Sequence, residues 1–271
     1  MLLADKFVYI HNPKTGGTFV VEMLRRIHEG QGYHTKISRF IGVCLGKTGG
    51  GIVNTGLYKI YPKHHANCRE IPIFFRKKPI LSTIRNPYDQ YVSEYEYGFW
   101  KNDKYRIFYD VNKVVEEYPN FPEISFAEYL KIINKYHKLK NIKTKLDEDN
   151  LIGLQSHKLF WLYCKQNVEN FLPKLDKELI DSGRYKEYIY PINWIKTENL
   201  NRDLYNFLLD IGYEAEKIQI ILDSEKVLPP LPPGGQRRRE YKWEKYYTPE
   251  LKKYVRHKER ILFSLFPEFD V

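Results

Sequence analysis

A lysine, two glycines and two threonines follow the first apolar segment of the chain, in the order Pro-Lys-Thr-Gly-Gly-Thr. Gly16 and Gly17 allow the backbone to approach an anion closely. Lys14 supplies a cation, and Thr15 and Thr18 supply hydroxyl donors. A helix that begins here adds unpaired N–H groups and a dipole worth about 0.3–1 kcal/mol per charge. The segment therefore predicts a site for a phosphate-like group, with an ordinary glycine turn as the alternative.

A second group of anion-binding residue types follows another apolar run. Arg85 comes directly after that run, and Ser93 lies eight positions later in a segment of helical spacing. Arginine binds a phosphate with two parallel hydrogen bonds, and serine donates a hydroxyl. Because the carboxyl ends of strands in an open α/β sheet face one crevice, both groups are expected there. Two such sites predict a ligand with phosphate-like groups at both ends.

Strand and helix patterns alternate around these two motifs. Residues 7–10 predict a buried strand, and apolar residues at helical spacing over 19–27 predict a helix after the glycines. Residues 80–84 predict a second strand. Pro87 suits the first turn of the helix that follows it, since proline at that position needs no N–H partner. The alternation indicates an α/β fold with a parallel sheet.

The rest of the chain extends this pattern. Residues 188–190 and 194–196 predict a third strand region, and residues 201–209 predict the helix after it. Residues 101–150 are charged and variable, which favours a helical insertion at the surface. Thr248 is predicted to cap the last helix. A length of 271 residues suits one domain that comprises the whole chain, 1–271.

Composition limits the cellular compartments and the classes of binding partner that suit this chain. No apolar run is long enough to cross a bilayer, no signal peptide is recognised, and three cysteines far apart suit a reducing cytoplasm. The net charge is +10, and the segment from Gln236 to Arg260 alone holds ten Lys or Arg against four Glu. Such a surface attracts polyanions: nucleic acid, an anionic glycan or a ligand with several phosphates.

The two motifs together resemble the signature of sulfotransferases that use 3′-phosphoadenosine-5′-phosphosulfate (PAPS). PKTGGT resembles the family's 5′-phosphosulfate loop, and RNPYDQYVS resembles its 3′-phosphate motif. The resemblance implies that Arg85 and Ser93 hold the 3′-phosphate. It implies that the 5′-phosphosulfate is held by Lys14, Thr15, Gly16, Gly17 and Thr18.

The residues of both motifs are most similar to those of the carbohydrate branch that includes heparan sulfate 2-O-sulfotransferases. The segment WIKTENL near residue 197 also resembles that branch. This implies a P-loop-like three-layer fold, with a central parallel sheet of about four or five strands and helices on both faces. It also implies transfer from PAPS to an acceptor hydroxyl, expected on a sugar, with adenosine 3′,5′-bisphosphate as by-product. The chemistry requires no metal, and no nucleic acid is expected as partner.

Two assignments stay open at this point. His64 and His65 lie about twenty residues before Arg85, where relatives of the 2-O-sulfotransferase type have a histidine. An imidazole with a pKa of about 6.5 accepts a proton at neutral pH. His65 fits that register better, but an exposed histidine pair is the alternative. Glu22, on the first predicted helix, is a third candidate for the base and ranks lower, because its spacing turns it toward solvent or a structural ion pair. The segment after the Pro-Gly loop resembles the basic loop that closes over the donor in this family. Its three arginines are Arg237, Arg238 and Arg239. They equally suit a solvent-exposed face or a binding track for an anionic acceptor.

Three other functions compete with this interpretation. A nucleotide-dependent kinase on the same fold predicts a Walker A sequence and a magnesium-binding Asp, and neither is seen, because Lys14 precedes the glycines. A basic module for polyanions would explain the charge but not two anion motifs at strand ends. A sulfotransferase fold that binds its nucleotide without catalysis is the third.

Overall fold

The computed structural model describes residues 1–28, 57–59, 65–102, 109–228, 230–231 and 242–271. The predicted site residues His64, Arg237, Arg238 and Arg239 lie outside this range. The chain divides into two compact units, each made of two segments. The first unit contains Met1–Arg85 and Tyr190–Pro229, and the second contains Asn86–Ile189 and Pro230–Val271. That the whole chain acts as one domain stays a prediction.

The first unit is built on a five-stranded sheet. Its strands are β1 (Leu2–Ala4), β2 (Val8–Ile10), β3 (Leu57–Lys59), β4 (Ile80–Ile84) and β5 (Ile192–Lys196). They lie in the order β3-β1-β2-β4-β5. β2, β4 and β5 are parallel to one another, whereas β1 is antiparallel to both of its neighbours. The carboxyl ends of β2, β4 and β5 therefore lie at the same edge, here called the carboxyl edge.

The strand β4 shows why these residues form a central strand. All five of its residues are buried, and the near-continuous apolar run is typical of a parallel strand that is covered on both faces. Its two polar residues have partners within the sheet. The Ser82 hydroxyl donates to the Ile10 carbonyl oxygen at 2.6 Å, and the Thr83 hydroxyl contacts Thr15 and Tyr9.

In the described part of the first unit, four helices pack against one face of this sheet. They are α1 (Gly17–His28), α8 (Leu200–Asp210), α9 (Ala215–Ile218) and α10 (Ile220–Asp223). The buried apolar side chains between these helices and the sheet are Leu2, Ala4, Phe7, Tyr9, Phe19, Val20, Met23, Leu24, Ile27, Leu81, Ile195, Leu204, Phe207, Leu208, Ile218 and Ile221. Leu3, Val8 and Ile10 on the opposite face are buried as well.

The second unit is helical in the part that the structure describes. Its helices are α2 (Pro87–Tyr97), α3 (Val111–Glu117), α4 (Phe126–Tyr136), α5 (Leu154–Tyr163), α6 (Val168–Phe171), α7 (Lys177–Asp181), α11 (Pro249–Lys258) and α12 (Arg260–Leu265). α2 begins with Pro87 after an Asn86 cap, and α11 begins with Pro249 after a Thr248 cap, as predicted. Within 101–150, the apolar residues of α4 are buried in the core of this unit.

The structure confirms the α/β class and a mostly parallel sheet of the predicted size. The sequence did not indicate β1 or β3, which add an antiparallel edge; each has three residues, too few for a periodic pattern. The predicted strand at 188–190 is wrong, because Arg184–Tyr188 is a 3₁₀ helix and Ile189 forms only an isolated bridge with Cys164. The third strand of the parallel set is β5 alone.

Candidate anion-binding site

Three strand ends meet at the carboxyl edge of the first unit. The loop with Lys14 follows β2, Arg85 follows β4, and Thr197 follows β5. In parallel α/β sheets this edge is where ligands bind. The residues that the sequence singled out after β2 and β4 are therefore neighbours in space.

The loop after β2 has an unusual backbone. Lys14 has a φ of 64° and Gly16 a φ of 89°, so both lie in the left-handed region. That region costs a residue with a side chain roughly 1–2 kcal/mol, and glycine much less. A Cβ on Gly16 would also lie 2.6 Å from Cδ2 of Leu200. The positive φ favours glycine at position 16, and Lys14 is held in a strained conformation at the point predicted to face the ligand.

A chain of hydroxyl groups fixes this loop to the sheet. Thr15 is fully buried, and its hydroxyl donates to the Asn12 carbonyl oxygen at 2.9 Å. Since a hydroxyl has one proton, the 2.5 Å contact between the Thr15 and Thr83 hydroxyls has Thr83 as donor. The Tyr9 hydroxyl then donates to Thr83 at 3.3 Å, and burial raises the Tyr9 pKa. The Thr15 side chain thus holds the loop, and its backbone N–H is the group through which it would bind an anion.

The helix after the loop begins without negative charge. α1 starts at Gly17 and has no acidic residue in its first turn. Its first carboxylate, Glu22, forms ion pairs with Arg25 at 2.9 Å and Arg26 at 2.8 Å. These hydrogen bonds lower the Glu22 pKa to about 2, so Glu22 is a poor proton acceptor. The positive end of the α1 dipole is available to an anionic ligand.

Direct contacts connect the three strand ends. The Arg85 guanidinium donates to the Lys14 carbonyl oxygen at 3.1 Å. The Thr197 hydroxyl lies 3.0 Å from the carbonyl oxygens of both Thr15 and Ile84. Two cationic residues from neighbouring strand ends are thereby brought to one loop. Thr197 was not predicted as a site residue, although it lies within the WIKTENL segment.

Two histidines pack together beside the start of α1. The His11 and His65 rings are stacked with centroids 4.8 Å apart and planes 16° apart. Nδ1 of His65 lies 3.2 Å from the His11 carbonyl oxygen, which can only accept. If the ring is neutral, this hydrogen bond places the proton on Nδ1 and makes Nε2 the acceptor nitrogen. This is the tautomer that a general base requires.

His11 is a residue of this site that the sequence reasoning missed. A Cβ on Gly17 would lie 1.9 Å from Cδ2 and 2.1 Å from Nε2 of His11, so the imidazole occupies the space that a side chain would need. Gly17 thus admits a ring against the first residue of the helix. The sequence feature that could have indicated His11 is its position directly after the strand and two residues before Pro13.

Comparison of the sequence with known proteins identifies no relative. No known family matches the chain, and no curated protein is significantly similar to it. Among solved structures it is similar to the crystal structure of mouse sulfotransferase SULT7A1 complexed with PAP. Identity is 15% and the TM-score is 0.43, over 97% of this chain and 84% of the mouse chain. Because this likeness is low, the function proposed below rests on the residues of the site.

The remaining predicted residues are placed as follows. Gly16, Gly17 and Thr18 lie at the end of the loop and the start of α1, as the sequence indicated. Ser93 lies on α2 in the second unit, partly exposed, and its contact with the ligand stays a prediction. In the described ranges, no three His, Cys, Asp or Glu side chains lie close enough together to hold a metal.

Proposed function

We propose that this chain is a PAPS-dependent sulfotransferase that transfers a sulfuryl group to an acceptor hydroxyl. The observation that carries the proposal is the 3.1 Å contact between the Arg85 guanidinium and the Lys14 carbonyl oxygen. It joins the two anion motifs, which lie 71 positions apart, at one edge of one sheet. A nucleotide with phosphate groups at both ends is the ligand that such a pair of motifs suits.

The donor's 5′ end would be bound at the start of α1. Backbone N–H groups of the loop 15–18 and the Lys14 ammonium would neutralise the phosphosulfate. Arg85 would bind the 3′-phosphate with two hydrogen bonds. Ser93 and one or more of Arg237, Arg238 and Arg239 complete the predicted contacts.

The reaction would be an in-line displacement at sulfur. The acceptor oxygen forms a bond to sulfur while the bond to the bridging oxygen breaks, which releases adenosine 3′,5′-bisphosphate. Nε2 of His65 would take the acceptor's proton, as its tautomer allows. Lys14 would stabilise the charge that develops on the leaving oxygen. The chemistry assigned to these residues requires no metal.

The acceptor class is proposed as a carbohydrate. Its support is the resemblance of PKTGGT, RNPYDQYVS and WIKTENL to the carbohydrate branch of the sulfotransferases. The basic segment between Gln236 and Arg260 would suit an anionic glycan. A cytoplasmic location stays a prediction from the cysteine content. Among the described residues, no helix combines the length and apolarity needed to cross a membrane.

The test is thermal denaturation with adenosine 3′,5′-bisphosphate and, separately, with ATP, followed by transfer assays with labelled PAPS on a panel of sugars. At one hundred times its Kd the bisphosphate should stabilise the protein by about 2.7 kcal/mol, and ATP should do so far less. Lys14→Ala should abolish transfer, while the exposed control Lys131→Ala should not. Equal stabilisation by ATP, or full transfer by Lys14→Ala, would contradict the proposal.

The histidine assignment has its own test. His65→Asn should lower kcat by roughly 10²–10⁴-fold and leave the Kd for adenosine 3′,5′-bisphosphate unchanged, since a base acts in the transition state. His257→Asn, at an exposed position in the second unit, is the matched control. If His64→Asn slows transfer and His65→Asn does not, the base is His64.

A further inference from the structure

A turn between the histidine segment and β4 exposes two large apolar side chains. Ile73 is 68% exposed and Phe74 is 77% exposed, although both are adjacent in a single 3₁₀ turn, Ile73–Phe75. The third residue of the turn, Phe75, is only 8% exposed and anchors it to the first unit. Pro72 caps the turn and fixes its entry. The turn therefore presents two neighbouring apolar side chains to solvent on a short, anchored support.

Basic residues flank these two side chains. Residues 69–78 contain four cationic residues and one acidic residue, Glu70. The Glu70 carboxylate accepts from the Asn67 N–H at 3.0 Å within a capping box, which holds it at the neighbouring 3₁₀ helix. The Arg76 guanidinium donates to the Ile71 carbonyl oxygen at 3.1 Å, so it is held at the base of the turn. Lys77 is exposed, and the Lys78 ammonium donates to the backbone carbonyl oxygen of Asp5.

The turn lies at the opposite edge of the sheet from the anion-binding site. The Lys78 ammonium donates to the carbonyl oxygens of Ala4 and Asp5, which precede β2, and it packs 4.6 Å from the centroid of the Phe75 ring. The site follows the other end of β2. A partner bound at residues 73–74 would therefore leave the carboxyl edge accessible to a nucleotide.

We propose that this turn docks the protein on an anionic lipid surface, with Ile73 and Phe74 inserted among the acyl chains and Arg76 and Lys77 paired with acidic headgroups. Apolar side chains beside cations are the combination that binds proteins to membrane interfaces. Anionic lipids are concentrated on the cytoplasmic leaflet. A protruding pair of side chains suits a fluid surface better than a protein partner, because a stable protein interface buries about 800 Å² on each side.

The experiment is cosedimentation of the full chain with vesicles of phosphatidylcholine alone or of equal parts phosphatidylcholine and phosphatidylserine. The wild type should bind the phosphatidylserine vesicles at least about tenfold more strongly, and less strongly as salt increases. The double variant Ile73→Ser with Phe74→Ser should lose about tenfold or more of this binding. Its melting temperature should not change, since both side chains are exposed.

The matched control is Ile220→Ser with Leu222→Ser, a pair of partly exposed apolar residues on α10, which should leave vesicle binding unchanged. Wild-type binding by the Ile73 and Phe74 double variant would mean that net charge alone attracts the protein to lipid, and would overturn the proposal. Absence of binding to phosphatidylserine vesicles would overturn it too. Binding of adenosine 3′,5′-bisphosphate by the double variant reports on the enzymatic proposal independently.

Discussion

Two helix starts, one in each unit, present the same backbone groups and meet opposite charges. At the start of α5, the Glu259 carboxylate accepts from the Gln155 N–H at 3.1 Å and the Ser156 N–H at 2.7 Å. The hydroxyls of Ser156 and Tyr91 donate to the same carboxylate. At the start of α1 there is no acidic residue in the first turn, and the nearby side chains include Lys14 and Arg85.

Both helix starts also depend on a glycine that makes room for a side chain. A Cβ on Gly153 would lie 2.0 Å from Oε1 of Glu259, and a Cβ on Gly17 would lie 1.9 Å from Cδ2 of His11. One glycine admits the carboxylate that neutralises its helix, and the other admits an imidazole. The difference teaches that glycine at a helix start does not by itself indicate a ligand site. At α1, the contacts described for the preceding loop are with carbonyl and hydroxyl oxygens, whereas at α5 the acceptor is a carboxylate.

The largest effect is expected where the internal anion is removed. Glu259→Ala would leave two N–H groups and the Ser156 hydroxyl without their acceptor inside the second unit, while the Tyr91 hydroxyl keeps Asn134 as an acceptor. The free energy of unfolding should therefore fall by about 3–5 kcal/mol. Urea denaturation measures it. The exposed Glu148→Ala should change stability by less than about 0.5 kcal/mol. A loss at Glu259 no greater than this control would mean that the carboxylate does not serve α5 as described.

An internal anion can also be added to α1. Thr18→Asp places a carboxylate in its first turn and makes it resemble α5, so the unliganded protein should gain about 0.3–1 kcal/mol. The same charge should repel a nucleotide and weaken its binding by roughly tenfold, or about 1.4 kcal/mol. Calorimetric titration with adenosine 3′,5′-bisphosphate measures this. Thr18→Asn has the shape of the Asp variant without its charge and removes the same hydroxyl, so it should weaken binding less than Thr18→Asp. An equal loss in both variants would show that the hydroxyl or the shape, not the charge, matters.

Replacement of the strained lysine is expected to change stability by about as much as Thr18→Asp does. Lys14→Gly removes the side chain at a φ of 64°, so the protein should gain about 1 kcal/mol of stability while it loses sulfuryl transfer. Thermal denaturation and the transfer assay measure the two changes. Lys14→Ala is the comparison, because it removes the same charge and keeps the strain. If both variants have the stability of the wild type, the left-handed conformation of residue 14 carries no strain.

Local patterns predicted those parts of the site that lie within one strand-loop-helix segment. β4 has the predicted bounds, and the loop from Lys14 to Thr18 and Arg85 follow the expected strands. His11 and Thr197 were missed because their roles come from contacts across the sheet, with His65 and with the carbonyl of Thr15. The spacing of residues along the chain does not predict such contacts. Likewise, β1 has only three residues before Asp5 and gives no alternation to detect.

The hydroxyl chain from Tyr9 through Thr83 and Thr15 to the Asn12 carbonyl has a consequence for how tightly a ligand could bind. The donor and the acceptor of each hydrogen bond in this chain are fixed. The bond from the Thr15 hydroxyl to the Asn12 carbonyl oxygen holds the backbone of the loop. The loop is therefore preorganised: its shape exists before a ligand arrives, and little conformational entropy is lost on association. Replacement of Thr83, which is not among the proposed ligand contacts, would then loosen the loop and reduce affinity without removing a ligand contact.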